Sequence, residues 1–353
     1  MMKNTGTVTR VGLLFAAAMA VGISATAARA DDFYRGKTIN VYVGYASGGG
    51  YDIYARMLAR SFGRFVPGNP NIVVQNRPGA GSIRLANELY NGIHPTDGTA
   101  IGIIGDVLHI KQVLGEAGIK FEATKFNWIG RLADTDPVLV VRADAPATTV
   151  EDAKRKEVLI GVPGAGSATA QTLAVINNVL GTKFKLITGY PGSSDIRLAV
   201  ERGEVHGSGS VLWSVSKDWI RQNNLKILYQ VTPTKYADLP DPPRLIDLAP
   251  DEETRQLLRF FASYTEMGRS FLAPPAVPTD RVQTLRDAFA KMVADPAFVA
   301  DSRKETLELG LNPLTGEQLQ QLVVDVSRLP PKLLDRAVAV SKAVAAENPQ
   351  KSD

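Results

Sequence analysis

The sequence predicts an α/β protein of two domains. Between residues 39 and 104, three runs of strand character each end in a glycine-bearing turn, and the first two lead into helical spacing. The same succession returns after residue 158. The chain is also long: the roughly 320 residues beyond an N-terminal leader exceed what one hydrophobic core usually organises.

The first unit sets the pattern. Ile39, Val41 and Val43 alternate with polar or aromatic neighbours, as in a strand, and Gly48, Gly49 and Gly50 follow. Tyr54, Met57, Leu58 and Phe62 then recur at helical spacing. Glycines let backbone N–H groups crowd and face outward. The start of a helix adds unpaired donors and partial positive charge, so the turn suits an anion. A plain strand-to-helix connection is the other reading. Asp52 also has two readings: favourable charge at a helix start, or an acceptor for a ligand donor or water.

In the second unit, Ile72–Val74 reads as a strand, Gln75 to Ser82 as a glycine turn with Ser82 as a cap, and Ile83 to Tyr90 as a helix. Pro95-Thr96-Asp97-Gly98 is a tight turn before a third apolar run, Ala100–Ile104, closed by Gly105 and Asp106. A mostly parallel sheet with helices on both faces is expected. Its ligand would sit at the carboxyl ends of the strands, beside Gly48–Gly50 and Asp106.

Val138–Val141 reads as a strand and Thr148 with Glu151 as a capping box. Val158–Val162 is apolar, Pro163 to Ser167 is a second glycine-rich turn, and Thr169–Leu180 a helix. Phe184–Ile187 is a strand, Ser194–Arg202 a helix, Gly207–Ser210 a small flexible run, and Leu225–Val231 a strand. After a proline-rich loop near 240, Leu257–Phe261 is expected to pack. Thr279-Asp280 is expected to cap a helix reaching Val293, and Thr315 with Gln318 to cap another.

Composition excludes several functions. Met1–Ala30 has a basic start, an apolar centre and Ala28-Arg29-Ala30, the pattern of a secretory leader cleaved after Ala30. Its removal lowers the formal charge from +4 to +1, which gives no case for nucleic-acid binding. The absence of cysteine excludes disulfides, thiolate nucleophiles and cysteine-bound metals. No Walker loop, complete G-x-G-x-x-G or G-x-S-x-G is present. His94, His109 and His206 lack metal spacing, and His94 reads as a surface residue. No carboxylate pair stands out for acid–base work. No enzyme, metal or cofactor is expected.

The segment Gly44 to Arg56 (GYASGGGYDIYAR) resembles the first ligand loop of the tripartite tricarboxylate transporter receptors, the TctC-like or Bug solute-binding proteins. Val73–Gly81, Pro95–Thr99, Gly161–Leu173, Tyr190–Gly192, Arg202–Val205 and Pro274–Pro278 resemble later family segments in the same order. The resemblance spans nearly the whole chain after the leader. It implies a periplasmic binding protein of type II, with a ligand cleft between two α/β lobes. It also implies a small organic carboxylate (a di- or tricarboxylate or an aromatic acid), delivery to integral-membrane permease subunits, and a monomer with no nucleic-acid partner.

By position, the resemblance assigns ligand contacts to Ser47, Gly49, Gly50 and Asp52 in the first loop and to Gly164, Gly166, Ser167 and Thr169 in the second. Asp106 and Ser210 are added as strand ends beside the cleft, and Tyr45 for stacking or a hydroxyl contact. Tyr45 and Tyr51 could equally pack. Gly44-Tyr45 stands where many relatives carry Pro-Phe, and Thr172 where many carry histidine. The expected division is residues 31–136 plus 232–353 for one domain and 137–231 for the other, with two crossings as a hinge. Two other functions fit the sequence less well: a co-receptor for a membrane sensor, and a small-ester or amide hydrolase using Ser47 or Ser167.

Overall fold

The computed structural model describes residues 33–162, 167–190, 192–233, 235–236, 238–304 and 310–347. The expected leader lies outside them. The strand-turn-helix units appear as read. β1 (Thr38–Val43) leads to α1 (Gly50–Phe62), β2 (Asn71–Asn76) to α2 (Ile83–Tyr90), and β3 (Ala100–Ile103) to α3 (Leu108–Val113). After β4 (Asn127–Arg131) the chain crosses into β5 (Pro137–Arg142), α4 (Val150–Ala153), β6 (Val158–Gly161) and α5 (Ala168–Leu180). β7 (Phe184–Ile187), α6 (Ser193–Glu201), β8 (Gly207–Leu212), α7 (Trp213–Gln222) and β9 (Leu225–Gln230) follow. The rest is α8 (Glu252–Ala262), α9 (Tyr264–Met267), β10 (Ser270–Ala273), α10 (Thr279–Ala294), α11 (Pro296–Lys304), β11 (Leu314–Thr315), α12 (Gly316–Ser327) and α13 (Pro331–Glu347).

Two sheets result, with spatial orders β11-β4-β10-β3-β1-β2 and β7-β6-β8-β5-β9. In the first, β1 pairs in parallel with β2 and β3, setting Val41 beside Val74 and Ile101. β10 enters antiparallel between β3 and β4, so the sheet is mixed. The period of two divides its side chains. Val41 and Val43 join Leu58, Phe62, Phe271 and Phe289 on one face, while Tyr42 joins Leu85, Leu89 and Leu272 on the other. In the second sheet β6 runs parallel to β7 and β8, and β5 antiparallel to β8 and β9.

Local readings needed correction. Gly207–Ser210, expected to be a flexible run, begins the central strand β8. Its glycines are required by contact. A Cβ on Gly207 would lie 2.2 Å from the Val140 carbonyl oxygen, and one on Gly209 would lie 2.7 Å from the Leu173 side chain of α5. Ser82 occupies the cap position of α2 but has φ +77° and makes no cap hydrogen bond. Thr149, not Thr148, caps α4 by accepting from the Asp152 N–H. Pro278, without a side-chain cap, precedes α10, whereas the Thr315–Gln318 box forms as expected. His94 is buried, tilted against Tyr42 at 4.0 Å and hydrogen-bonded to Glu88 at 3.1 Å.

The crossings are held by backbone bonds. Leu132 N–H donates to the Arg269 carbonyl, Arg269 N–H to Ala133, and Thr135 N–H to Thr265. Gly268, at φ +42°, lets these strands meet; a Cβ there would stand 2.1 Å from the Ala133 carbonyl oxygen. The returning chain stays with the second sheet beyond residue 231. Leu257, Leu258 and Phe261 of α8, with Leu333, Ala337 and Val340 of α13, share a core with Val141, Ile160 and Ile176. These residues fall within the segment 232–353 that was expected to belong to the other domain. Because α12 packs on β4 of the first sheet, the chain passes between the sheets a third time between α12 and α13.

Candidate functional site

The first glycine loop lies at the carboxyl end of β1, beside the end of β3, where the Gly44 N–H donates to the Ile103 carbonyl. Ser47, Gly48 and Gly49 are exposed, and α1 starts at Gly50 without a side-chain cap from Gly49. Its first donors are therefore left uncapped by the chain's own side chain.

Asp52 holds this loop from beneath. Its side chain is 2 % exposed. It accepts from the Gly48 N–H at 2.9 Å, Arg56 Nε at 2.8 Å and Asn76 Nδ2 at 2.9 Å, with the Ser47 hydroxyl at 3.3 Å. Burial pushes its pKa up, but the hydrogen bonds from Arg56, Gly48 and Asn76 outweigh it and leave the carboxyl well below the usual range. With its lone pairs so engaged, Asp52 acts as the anchor of the loop, a role neither sequence reading gave it.

Tyr45 and Tyr51 stack on each other, with centroids 4.4 Å apart and planes 19° apart. Both are half-buried. The Tyr51 hydroxyl accepts the Asp106 backbone N–H at 3.1 Å. The Arg269 guanidinium carbon lies 4.3 Å from the Tyr51 ring centroid and 5.8 Å from that of Tyr54. Burial pushes the Asp106 carboxyl up to about 6, against the pull of Arg269. Burial also raises the Tyr45 and Tyr51 hydroxyls.

Three of the expected site residues on the second sheet are described. Ser167 Oγ caps α5 by accepting the Ala170 N–H at 3.2 Å. The Thr169 methyl packs toward Gly209, 2.8 Å from where a Cβ would stand. Ser210 lies on β8. Gly164 and Gly166 lie outside the described residues. Thr172, the position noted for its departure from histidine, is buried on α5 beside the Tyr264 hydroxyl, and Tyr264 also senses Asp106 across the crossing. Leu212 packs against the first sheet's core, and Asp136, on the first crossing, accepts the Ser214 N–H at 2.8 Å.

A family model described as the tripartite tricarboxylate transporter family receptor matches residues 55–334. The chain belongs to the TctC family. A curated relative, a UPF0065 protein from the gbd 5′ region of Cupriavidus necator, is 26 % identical over 316 residues, covering 87 % of this chain and 90 % of the relative. A TctC solute-binding protein from Polaromonas, solved without ligand, superposes with a TM-score of 0.64 at 23 % identity, covering 89 % of this chain and 99 % of that one. A Rhodopseudomonas palustris protein solved with adipate gives 0.57 at 20 % identity, covering 88 % and 98 %. The two-sheet α/β architecture is thus that of the two-domain periplasmic binding proteins.

Within this receptor fold, sequence reasoning missed Arg269 and Tyr264. The signal for Arg269 is a charge just ahead of the apolar run Phe271-Leu272-Ala273. The histidines have other partners than the candidate serines: Glu88 for His94, Ser263 for His109 at 2.7 Å, and the Leu159 N–H for His206 at 2.9 Å.

Proposed function

We propose that this chain is a periplasmic receptor that captures a small organic carboxylate between its lobes and hands it to membrane permease subunits. One observation carries the reading. The exposed, uncapped start of α1 stands at the strand ends together with Tyr51, Asp106 and the buried cation Arg269. Helix-start donors and a nearby guanidinium suit a carboxylate. The ligand would touch Ser47, Gly49, Gly50, Tyr45 and Asp106 from one lobe and the Gly164–Thr169 loop from the other, with Ser210 nearby. Residues 1–30 would be removed after Ala30 on export.

The crossings at 132–136, 263–269 and 327–331 would serve as the hinge, with α8 and α13 moving as part of the second lobe. A ligand that contacts both lobes only when they meet stabilises the closed form by its differential affinity. Family membership supports the receptor role, and the adipate bound to the R. palustris protein supports a carboxylate.

Titration calorimetry and thermal unfolding of the chain from Asp31 onward, against a panel of mono-, di- and tricarboxylates and aromatic acids, test this. Saturable heat from one class is expected. At 100 times Kd that acid should stabilise the fold by about 2.7 kcal/mol. Absence of heat and of stabilisation across the panel would sink the proposal.

A further inference from the structure

The first sheet ends on an open edge. β2 lies last in the strand order, and among the described residues no strand pairs with its outer side. None of its six residues is buried. The N–H groups of Asn71 and Arg77 donate to the Lys37 and Val43 carbonyls, on the β1 side. Alternation puts Val73 and Gln75 with them, so the N–H and C=O groups of Ile72, Val74 and Asn76 point away from β1. Proteins usually blunt such an edge with a lysine, a proline or a bulge. The run Asn71–Asn76 contains neither residue, and its register with β1 is unbroken.

Arginines line that edge instead. Between Asp52 and Glu88 the sequence has five arginines, Arg56, Arg60, Arg64, Arg77 and Arg84, and no lysine or acidic residue. This stretch alone carries +5, against +1 for the whole chain beyond the leader. Arg56 and Arg60 stand one turn apart on α1, and Arg64 follows in the helical turn Gly63–Phe65. All three are exposed. Arg56 and Arg60, with Ala59, Ile72 and Val74, line a groove of about 380 Å³ between α1 and the β2 edge. Arg56 is paired with Asp52, and its Nη2 donates to Asn76 Oδ1 at 3.3 Å, which ties the stripe to β2. Arg64 donates to the uncharged Ser61 hydroxyl at 3.2 Å. Asp301 of α11, on the far side of Arg60 and Arg64, is engaged by Lys304 at 3.0 Å.

The two features suit a single occupant. Outward N–H and C=O groups are completed by another strand, and an arginine stripe by acidic side chains. The spacings agree as well. Arginines four residues apart on a helix are about 6 Å apart along its axis. Alternate side chains of a strand, which share one face, are about 6.6 Å apart. We propose that the β2 edge and the arginines beside it form a docking surface for an extended acidic segment of a partner protein, which adds to the sheet as a further strand. A second copy of this chain fits poorly, since pairing β2 with β2 would bring like charges together. An anionic membrane surface would meet the arginines but leave the edge and the groove unused. The proposal does not depend on the carboxylate reading, because Arg60 and Arg64 lie at the end of α1 away from its glycine loop.

The test is fluorescence anisotropy of the chain from Asp31 onward with a fluorescein-labelled peptide of about eight residues that alternates glutamate and valine. The same peptide with lysine in place of glutamate is the control. The acidic peptide should bind at least tenfold tighter than the control, and should weaken at least tenfold between about 0.02 and about 0.2 M salt. Arg60→Glu combined with Arg64→Glu should lower its affinity at least tenfold, with the circular dichroism spectrum unchanged. In the wild type, bound peptide should slow amide hydrogen exchange at Ile72, Val74 and Asn76 at least tenfold, a readout that needs no variant. Equal binding of the two peptides, or binding of neither, would overturn the proposal. So would binding that leaves those amides exchanging at their free rate, since the peptide would then sit elsewhere, the ligand cleft included. Attachment to phosphatidylglycerol vesicles without peptide binding would assign the arginines to a membrane surface. A dimer in sedimentation that occludes the same amides would assign the edge to a second copy. Either result would overturn the acidic partner.

Discussion

The Asp52 carboxylate accepts the backbone N–H of Gly48 at 2.9 Å, so the first glycine loop is tied down by the helix it introduces. The same carboxylate is held by Asn76 at the end of β2, and this joins the first two strand-turn-helix units at one buried charge. Removing it takes an acceptor from the Gly48 N–H, Arg56 Nε, Asn76 Nδ2 and the Ser47 hydroxyl. Hydrogen bonds to a charged group contribute about 1.5–3 kcal/mol each. The Arg56 pair is discounted, because that arginine is 46 % exposed and screened by solvent. Asp52→Ala should therefore destabilise by about 2–3 kcal/mol in urea unfolding. Because the folded pKa lies below the ordinary 3.8, this stabilisation is complete above that value and lost as the pH falls beneath it. A variant as stable as the wild type at pH 7 would contradict the anchor role.

Gly44 faces Ser82 so closely that a Cβ on Gly44 would lie 1.8 Å from Ser82 Oγ. Ser82 has φ +77°, and its buried hydroxyl has no hydrogen-bond partner. Gly44→Ala should cost about 1–3 kcal/mol through overpacking. Ser82→Gly removes the obstructing atoms and suits the positive φ. The double variant should recover most of the loss, so the two substitutions should be strongly non-additive. Additive losses in a double-mutant cycle would mean that Gly44 is needed for some other reason.

Much of the fold was legible because βα units announce themselves twice, through period-two runs such as Ile39/Val41/Val43 and through helical spacing such as Tyr54/Leu58/Phe62. What escaped notice depends on distant partners. Gly207–Ser210 has the composition of a loop and becomes a central strand only because Val140 and Leu173 approach too closely for side chains. The return crossing was expected near 231, where composition shifts. Where α8 and α13 pack depends on side chains far away in the chain, such as Val141 and Ile160. At the site, the glycine loop and Asp106 were visible as strand ends. Arg269 was not, since nothing local shows that the guanidinium of residue 269 lies over the ring of residue 51.

Asp136 gives the crossing a pH dependence. Burial pushes its carboxyl up to about 6, partly offset by the Ser214 N–H. A carboxyl that ionises later in the folded state than in the unfolded chain binds an extra proton between about pH 4 and 6. Its stabilising effect is full below that window and is lost as the pH rises through it. Asp136→Asn keeps an acceptor for Ser214 without the buried charge. It should be more stable than the wild type at pH 7, by up to about 3 kcal/mol, and equal to it near pH 4. His109 acts in the other sense: burial pulls it down to about 4, and its contribution is lost as the pH falls from about 6.5. The informative quantity is therefore the difference between variant and wild type at each pH. A constant difference from pH 4 to 7 would rule out Asp136 as the titrating group.

The last helix packs on the core of the second sheet. Leu333, Ala337 and Val340 line up at helical spacing on α13 and are buried against the core that contains Ile176 of α5 and Leu257 of α8. The charged contacts from Lys332 and Arg336 to Glu253 lie at the surface and add little. Burying a leucine or valine fully contributes about 1.5–3 kcal/mol, and deleting the helix would also expose the apolar faces of α5 and α8 that it covers. A chain ending at Arg328 should lose about 5 kcal/mol or more, comparable with the whole stability of a typical domain. Leu333→Ala alone should cost about 2–5 kcal/mol. Both are read by urea unfolding with tryptophan fluorescence, since Trp213 and Trp219 report on the second lobe. If the shortened chain unfolds at the wild-type urea concentration, α13 is dispensable and the third crossing has no structural weight.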